Sequence, residues 1–285
     1  MYRRGYPQYA GRAKDTFPLS SKTHCFGGGS HGERDSYYRD KTKNLTPNLD
    51  FYQNKAAFKP NGVKIEELLK WKNDKLERNH SYIQWLFPLR EPGKNSSARP
   101  LTQDEIQMMR GDTDAMRRLL EAYKLMLQFY GIELQDSITG KVKRAKNWEE
   151  RFYNLNNHSH NNLRITRILK CLGEMGYERF QAPLVRFFLE ETLHNDNLPN
   201  VKMSALDYFM FTVKDQQERK GVVYFAFCAW TERNSPESFV WGPVETLLSY
   251  RNGNRARSEH RPTSGNKKYS THHQSHPRRE DSLQF

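Results

Sequence analysis

Residues 112–131, DTDAMRRLLEAYKLMLQFYG, constrain the fold of this chain more than any other segment. Their apolar side chains recur every three or four positions, which places them on one face of an α-helix. Gly131 closes the segment, and glycine commonly ends a helix. The pattern therefore predicts a long amphipathic helix whose apolar face carries Met116, Leu119, Leu120, Tyr123, Leu127 and Tyr130.

Similar helical signals fill the middle of the chain. Thr102 with Glu105 three residues later is a capping box, and Pro183 and Pro199 suit the first turns of two further helices. Residues 65–77, IEELLKWKNDKLE, follow the turn KPNG and are interpreted as one helix. Residues 132–147, IELQDSITGKVKRAKN, are predicted to form a loop.

One segment is ambiguous between the two kinds of secondary structure. Residues 222–230 are rich in β-branched and aromatic side chains, as strands are. We predict a helix, because no other part of the core offers a strand partner. No repeat and no alternation of strands with helices is present, so the predicted fold is all-α, a single globular array of about eight or nine helices.

Charge and composition divide the chain into three parts. Of the net charge of +13, residues 1–44 carry +5 and residues 233–285 carry +4. Residues 1–44 and 251–285 are Gly-, Ser- and charge-rich without periodicity, so we predict disordered basic tails around a helical domain at 45–250. Basic tails keep a protein soluble or contact nucleic acid or an anionic membrane. Because the charge lies in the tails and not on a folded face, nucleic-acid binding is not expected.

The cysteines and the hydropathy pattern narrow the class further. Cys25, Cys171 and Cys228 are odd in number and far apart, which argues against a disulfide framework or a cysteine zinc site. The N-terminus lacks the apolar region of a signal peptide. No apolar run approaches the roughly 20 residues that a membrane-spanning helix needs.

The search for catalytic motifs is negative. His158 and His160 could supply two metal ligands, but no third ligand has a fixed spacing, and a polar loop before a helix is the better interpretation. His80 fits a capping or core role better than that of a general base. Two adjacent acidic pairs, Glu149 with Glu150 and Glu190 with Glu191, fit charged outer helix faces. We therefore expect no enzymatic activity and no cofactor.

Two further stretches are candidates for binding. The run KVKRAK supplies Lys141, Lys143, Arg144 and Lys146, which could meet a nuclear import receptor or phosphates, although such short runs are common on solvated loops. Residues 79–93, NHSYIQWLFPLREPG, predict a helix start near residues 79–81 and a buried body at 82–87. Pro88 ends that helix, and Arg90 and Glu91 leave the core as a lip.

Several long segments resemble one known family. NHSYIQWLFPLREPG, NLRITRILKCLGEMG, QAPLVRFFLEETL and SALDYFMF are similar to the opioid growth factor receptor family, and FKPNG, FYGIEL, RFYNLN and FVWGP follow in matching order. The resemblance covers residues 48–243. The segment LKWKNDKLE at 69–77 is shorter than the family pattern, and the C-terminal part lacks the long Pro- and Glu-rich repeats of the receptor proper.

The resemblance implies a function that the residues alone do not. Members of this family are not seven-helix receptors but nuclear, perinuclear and cytoplasmic proteins, some membrane-associated, that bind methionine enkephalin and restrain proliferation. It therefore implies an enkephalin-type peptide as partner, with any membrane association peripheral. The alternative is a helical scaffold or adaptor that binds another protein or nucleic acid and no peptide.

A peptide of this kind needs a carboxylate for its ammonium, an apolar surface for its rings and a cation for its carboxylate. Two parts of the chain contain such residue types. The predicted ligand-binding residues are Trp85, Phe87, Arg90, Glu91, Asp207, Tyr208 and Phe211.

Overall fold

The computed structural model describes residues 46–259. The chain divides into two compact units, residues 1–247 and residues 248–285, and in the second unit the description covers helical residues 248–259. The predicted tails at 1–44 and 251–285 lie largely outside the described residues.

The described part is mostly helical, which confirms the all-α prediction. Nine of its α-helices have six residues or more, within the predicted eight to nine. In chain order the α-helices are α1 (Pro47–Tyr52), α2 (Ile65–Leu68), α3 (Asn73–Arg78), α4 (Ile83–Leu86), α5 (Gln103–Gly111), α6 (Thr113–Phe129), α7 (Trp148–Asn157), α8 (His160–Glu174), α9 (Gln181–Leu189), α10 (Gln216–Trp230) and α11 (Val244–Glu259).

Two longer helical runs contain wide π-turns. Helix α9 continues into a π-turn at Glu190–His194. A second run, residues 202–212, has one α-turn at Lys202–Ser204, a π-turn at Ala205–Phe209 and a further α-turn at Met210–Thr212. Such π-bulges interrupt the regular ladder and are frequent at functional sites. The ambiguous segment 222–230 is helical within α10, as predicted.

The predicted loop at 132–147 is in fact a small β-hairpin. Strands β1 (Ile132–Leu134) and β2 (Val142–Arg144) pair antiparallel, with Ile132 opposite Arg144. Asp136 fixes the turn, because its carboxylate accepts hydrogen bonds from the Ile138 amide at 2.8 Å and the Thr139 hydroxyl at 2.7 Å. The sequence prediction was wrong because each strand has only three residues, too few to display an alternation.

The single helix predicted at 65–77 is broken into α2 and α3. Between them the chain turns Trp71 inward, where its ring meets Phe58 edge-on at 6.0 Å and Tyr82 at 5.7 Å. Burying an indole between two aromatic rings stabilises this turn more than a few residues of continuous helix would. Tertiary packing thus overrides the local helical pattern.

The apolar body of residues 79–93 lies in the core, as predicted. Tyr82 and Phe87 are fully buried, and Trp85 packs edge-on against Phe51 at 5.7 Å. Helix α4 ends at Leu86, with Phe87 as its C-cap and Pro88 next. Helix α6 contacts this body at Tyr82, whose hydroxyl donates to Met126 Sδ at 3.6 Å.

Arg164 joins the N-terminal helices to α8. Its side chain is buried, and its guanidinium donates to the backbone carbonyls of Leu76 at 3.1 Å and Asn79 at 2.8 Å. It also donates to Asn161 Oδ1 at 3.1 Å and lies over the Tyr82 ring at 5.3 Å. The guanidinium thus supplies charged hydrogen-bond donors to the carbonyls at the end of α3, which would otherwise be buried without donors.

An ion pair between Arg144 and Glu191 corrects the prediction for Glu191. Glu190 is exposed, but Glu191 is buried and accepts from Arg144 Nε at 2.7 Å and Nη2 at 2.8 Å. The Arg144 guanidinium also lies over the Trp148 ring at 4.4 Å. Glu191 lies in the π-turn at Glu190–His194. The sequence prediction assumed a regular helix with both glutamates on its outer face, so it did not anticipate that Glu191 points inward.

We expect Arg144→Ala to destabilise the chain by roughly 2 kcal/mol, because it leaves the buried Glu191 carboxylate with the Asn197 amide and without a charged partner. The figure is below the usual cost of a broken buried pair because Arg144 is partly exposed, so that water can reach Glu191. Urea unfolding measures the change. Lys143→Ala on the same strand is the control and should change the free energy of unfolding by less than about 0.5 kcal/mol. Equal effects of the two variants would contradict a buried-pair role.

Candidate functional site

One internal cavity is too small to hold a peptide. A cavity of about 10 Å³ lies among α6, α8 and α9, lined by Tyr123, Met126, Leu127, Tyr130, Ile165, Ile168, Leu184 and Phe188. That volume holds about one water molecule. Residues 46–259 contain no cluster of three or more His, Cys, Asp or Glu side chains arranged to hold a metal ion. None of the described helices is long and apolar enough to cross a membrane.

The structure separates the first group of predicted ligand-binding residues. Trp85 and Phe87 are 5% and 0% exposed, so a ligand on the surface does not reach them. This corrects their inclusion in the ligand-binding group: the aromatic run lies in the core, where Trp85 packs against Phe51. Sequence composition alone does not distinguish a buried aromatic run from a binding cleft.

Arg90 and Glu91 form the predicted lip at the surface. Both are exposed, and the Glu91 carboxylate pairs with the ammonium of Lys170 from α8. Nearby, Arg167 Nε donates to the Phe87 carbonyl at 2.7 Å. These contacts fasten the 88–93 segment onto α8, through Glu91 and through the Phe87 carbonyl.

The second predicted group is exposed and clustered. Tyr208 and Phe211 are 58% and 49% exposed, and Asp207 is exposed beside them in the 202–212 run. Met203, one turn before Asp207, is 53% exposed. Large apolar side chains that face water together are unusual on a monomer and mark interaction sites.

Trp241 completes this group and was not predicted from the sequence. Its indole Nε1 donates to Asp207 Oδ1 at 2.7 Å. Its ring meets Trp230 at 5.2 Å and Phe239 at 5.3 Å, both edge-on. The motif FVWGP that carries Trp241 appeared only as a family resemblance, because 34 residues separate it from Asp207 and no local pattern connects them. We call Asp207, Tyr208, Phe211, Trp230 and Trp241 the acid–aromatic surface.

The acid–aromatic surface combines a fixed carboxylate with aromatic faces. Trp241 uses one oxygen of Asp207, which holds the carboxylate in one orientation and leaves a second oxygen to accept further hydrogen bonds. Trp230 is itself fixed, since its Nε1 donates to Ser238 Oγ at 2.8 Å. A carboxylate beside ordered indole and phenol rings binds cations through charge and through the ring faces.

The basic run is arranged differently from the prediction. Lys141, Lys143 and Lys146 are exposed, whereas Arg144 is bound to Glu191. Lys143 Nζ lies 3.6 Å from a Glu133 oxygen across the hairpin. An import receptor or a phosphate group would therefore meet the three lysines, and Arg144 would have to leave a buried partner to join them.

The predicted histidines form a cluster around Glu77. His160 begins α8, and its Nε2 lies 2.7 Å from Glu77 Oε1. The His160 ring lies 4.9 Å from that of His80. Contrary to prediction, His80 is exposed and is not a cap, because α4 starts at Ile83 with Tyr82 as its N-cap. Ser159 is the N-cap residue of α8 without a side-chain cap bond. The Glu77 carboxylate lies beside this first helical turn, a favourable place for negative charge.

The protonation of this cluster follows from its surroundings. Burial, with help from the positive charge of Arg164, lowers the pKa of His160 below its ordinary 6.5, although Glu77 opposes the change. Burial alone would raise the pKa of Glu77, but hydrogen bonds from Asn154 and Asn161 outweigh it, so that this pKa falls below 4.5. Neutral His160 beside ionised Glu77 is the stable arrangement at neutral pH.

Comparisons with known proteins give one consistent result. The family model described as the opioid growth factor receptor conserved region matches residues 41–248. Opioid growth factor receptors from Homo sapiens and Mus musculus are each 56% identical to this chain, over 209 and 207 residues. Opioid growth factor receptor-like protein 1 from Mus musculus is 54% identical over 212 residues.

The matches cover most of this chain but a minor part of each relative. They span 72–73% of this chain, but 30% of the human receptor, 32% of the mouse receptor and 45% of the mouse receptor-like protein. No solved structure matches. The fold described above therefore rests on this chain's own residues.

We expect the stability of the chain to fall as the pH drops from about 7.5 to about 5.5. The pKa of His160 is lower in the folded state, because burial and the charges of Arg164, His80 and His158 disfavour the protonated ring. Its contribution is complete above about 7.5 and is lost as the pH falls through about 6.5, where the unfolded chain takes up the proton more readily. Glu77 extends the loss below about 4.5.

Urea unfolding at several pH values measures this dependence. His160→Gln keeps a neutral amide at the position and should flatten the curve between pH of about 7.5 and 5.5. Identical curves for the two proteins would contradict the assignment.

Proposed function

The chain belongs to the opioid growth factor receptor family, and from this we propose that it binds enkephalin-type peptides and thereby restrains cell growth. The family resemblance supplies the class of ligand. The observation that carries the proposal is the acid–aromatic surface, in which the Asp207 carboxylate is fixed beside exposed Tyr208 and Phe211.

The chemistry of the ligand agrees with this surface. Methionine enkephalin has an α-ammonium, two aromatic rings, a thioether and a carboxylate. The ammonium pairs with the free oxygen of Asp207, and the rings and thioether pack on Tyr208, Phe211 and the Trp241 ring. Because the surface is open, contacts of this number favour modest affinity over the tight binding of an enclosed pocket.

Calorimetry of the full chain with methionine enkephalin, up to near-millimolar peptide, tests the proposal. We expect Asp207→Asn to weaken binding about tenfold, because an amide cannot neutralise the ammonium. The asparagine oxygen still accepts from Trp241, so the local fold is kept. Phe211→Ala should weaken binding by a similar factor, whereas Tyr153→Ala, which removes a 76%-exposed ring on α7, should not.

N-acetylated peptide separates the charge contact from the rest of the site. Its binding should be weak and the same for the parent chain and Asp207→Asn, since the group that Asp207 recognises is gone. Absence of heat at near-millimolar methionine enkephalin, or a tenfold loss for Asp207→Asn with the acetylated peptide as well, would contradict the proposal.

A helical scaffold is the second candidate function, and the openness of the same surface favours it. Exposed Tyr208 and Phe211 with no enclosed cleft suit a flat protein partner as well as a short peptide. In this case Tyr208→Ala and Phe211→Ala weaken association with that partner while methionine enkephalin gives no heat and does not compete.

We further propose that the chain works in the nucleus and cytoplasm, with Lys141, Lys143 and Lys146 read by an import receptor. The exposure of the three lysines supports this proposal. Changing all three to alanine should lower the nuclear fraction of a fluorescent fusion severalfold, because the receptor loses its charge contacts. The control changes Lys72, Lys94 and Lys124, which are also exposed, and should leave the distribution unaltered. Equal distributions of the two triple variants would contradict the assignment.

A further inference from the structure

One threonine and one serine in the sequence are followed directly by proline. They are Thr46, before Pro47, and Ser235, before Pro236. A serine or threonine followed by proline is the pattern that proline-directed protein kinases select. Proline at the next position also biases the hydroxyl-bearing residue towards an extended backbone, which is how a kinase holds its substrate. The sequence treats the two positions alike, but the structure does not.

Ser235 has the conformation of a kinase substrate. It is exposed, with φ −69° and ψ 145°, in the polyproline region, and its side chain makes no cap hydrogen bond. The three residues before it, at 232–234, are exposed as well. The hydroxyl therefore faces water on a loop after α10.

Thr46 has neither property. It is half-buried, with φ −116° and ψ 56°, and its carbonyl accepts from Asp50 at 2.8 Å in the first turn of α1. The next residues are tied inward, since Asn48 is fully buried and its amide donates to Glu105 at 2.8 Å. Extending residues 46–49 would require α1 to leave the core.

The chain after Ser235 opens far more easily. Residues Pro236–Ser238 form one short helical turn. The Ser238 amide and hydroxyl donate to the Ser235 carbonyl at 3.1 Å and 2.6 Å, and the Phe239 amide donates to the Pro236 carbonyl at 3.0 Å. A single exposed turn of this kind opens locally without global unfolding.

We propose that Ser235 is a phosphorylation site for a proline-directed protein kinase. The Ser235 oxygen forms the new bond to the γ-phosphorus of ATP, and the bond from that phosphorus to the oxygen of ADP breaks. The hydroxyl proton passes to the catalytic aspartate of the kinase. The product carries about −1.5 to −2 units of charge at this loop.

The new charge lies beside the ring pair of the acid–aromatic surface. Ser238, which holds Trp230 Nε1, bonds to the carbonyl of the modified residue. Arg233, two residues upstream, donates to the His194 carbonyl at 3.0 Å and would gain the phosphate as a charged partner. Phosphorylation at Ser235 therefore adds charge next to Ser238, the residue whose hydroxyl holds the Trp230 indole. The proposal itself does not require that the surface bind a peptide.

The test exposes the full folded chain to a proline-directed kinase with ATP and Mg²⁺ and measures initial rates at each site by phosphopeptide mass spectrometry. Synthetic peptides spanning residues 42–50 and 231–239 serve as unfolded references. We expect the folded chain to be labelled at Ser235 at least about tenfold faster than at Thr46, with the ratio much smaller for the peptides. Ser235→Ala and Pro236→Ala should each abolish the main label, and Thr46→Ala should leave it.

Three outcomes would overturn the proposal. The first is that the folded chain is not labelled at Ser235 while the 231–239 peptide is, which would mean that the fold conceals the site. The second is labelling of Thr46 at a rate equal to that of Ser235 in the folded chain. The third is unaltered labelling of Pro236→Ala, which would show that the proline does not direct the kinase.

Discussion

The buried guanidinium of Arg164 is the contact on which the arrangement of the described helices depends. It carries a full charge away from water and is compensated by the Leu76 and Asn79 carbonyls, Asn161 and the face of Tyr82. Such a charge is stable only while all its partners are present. Because these partners come from α3, the segment after it and α8, the guanidinium fixes how the N-terminal helices meet the rest of the fold. Glu77 and His160 depend on the same junction and make it sensitive to acid.

The internal ion pair of Glu191 and Arg144 has a comparable role on the other side of α9. It joins the β-hairpin to the π-turn at Glu190–His194 and binds the guanidinium of the one arginine in the basic run. Because Arg144 is bound to Glu191, the cations of the basic run that a partner can contact are Lys141, Lys143 and Lys146. A single internal contact thus changes how an external binding motif can work.

The acid–aromatic surface illustrates how a site arises between distant segments. Asp207, Tyr208 and Phe211 lie in the 202–212 run, while Trp230 and Trp241 come from α10 and from the FVWGP segment. The hydrogen bond from Trp241 to Asp207 fixes both the ring and the carboxylate. The residue types of the 202–212 run made it a candidate from the sequence. The indole that orients the carboxylate was outside the reach of any local pattern.

The sequence by itself determined the helical class, part of the buried face of α6, the helix at 222–230 and the burial of residues 82–87, because these follow from apolar spacing and from proline and glycine, which act locally. It also determined the family, through long segments in a fixed order. Only the tertiary structure decided that Trp85 and Phe87 are core while Tyr208 and Phe211 are exposed, since an aromatic run has the same composition whether it is buried or lies on the surface. It also decided that Glu191 is buried, that residues 65–77 break around Trp71, and that Ser235 and not Thr46 presents an accessible hydroxyl. These outcomes depend on contacts between residues far apart in the chain, whose free energies exceed the local preferences that a sequence displays.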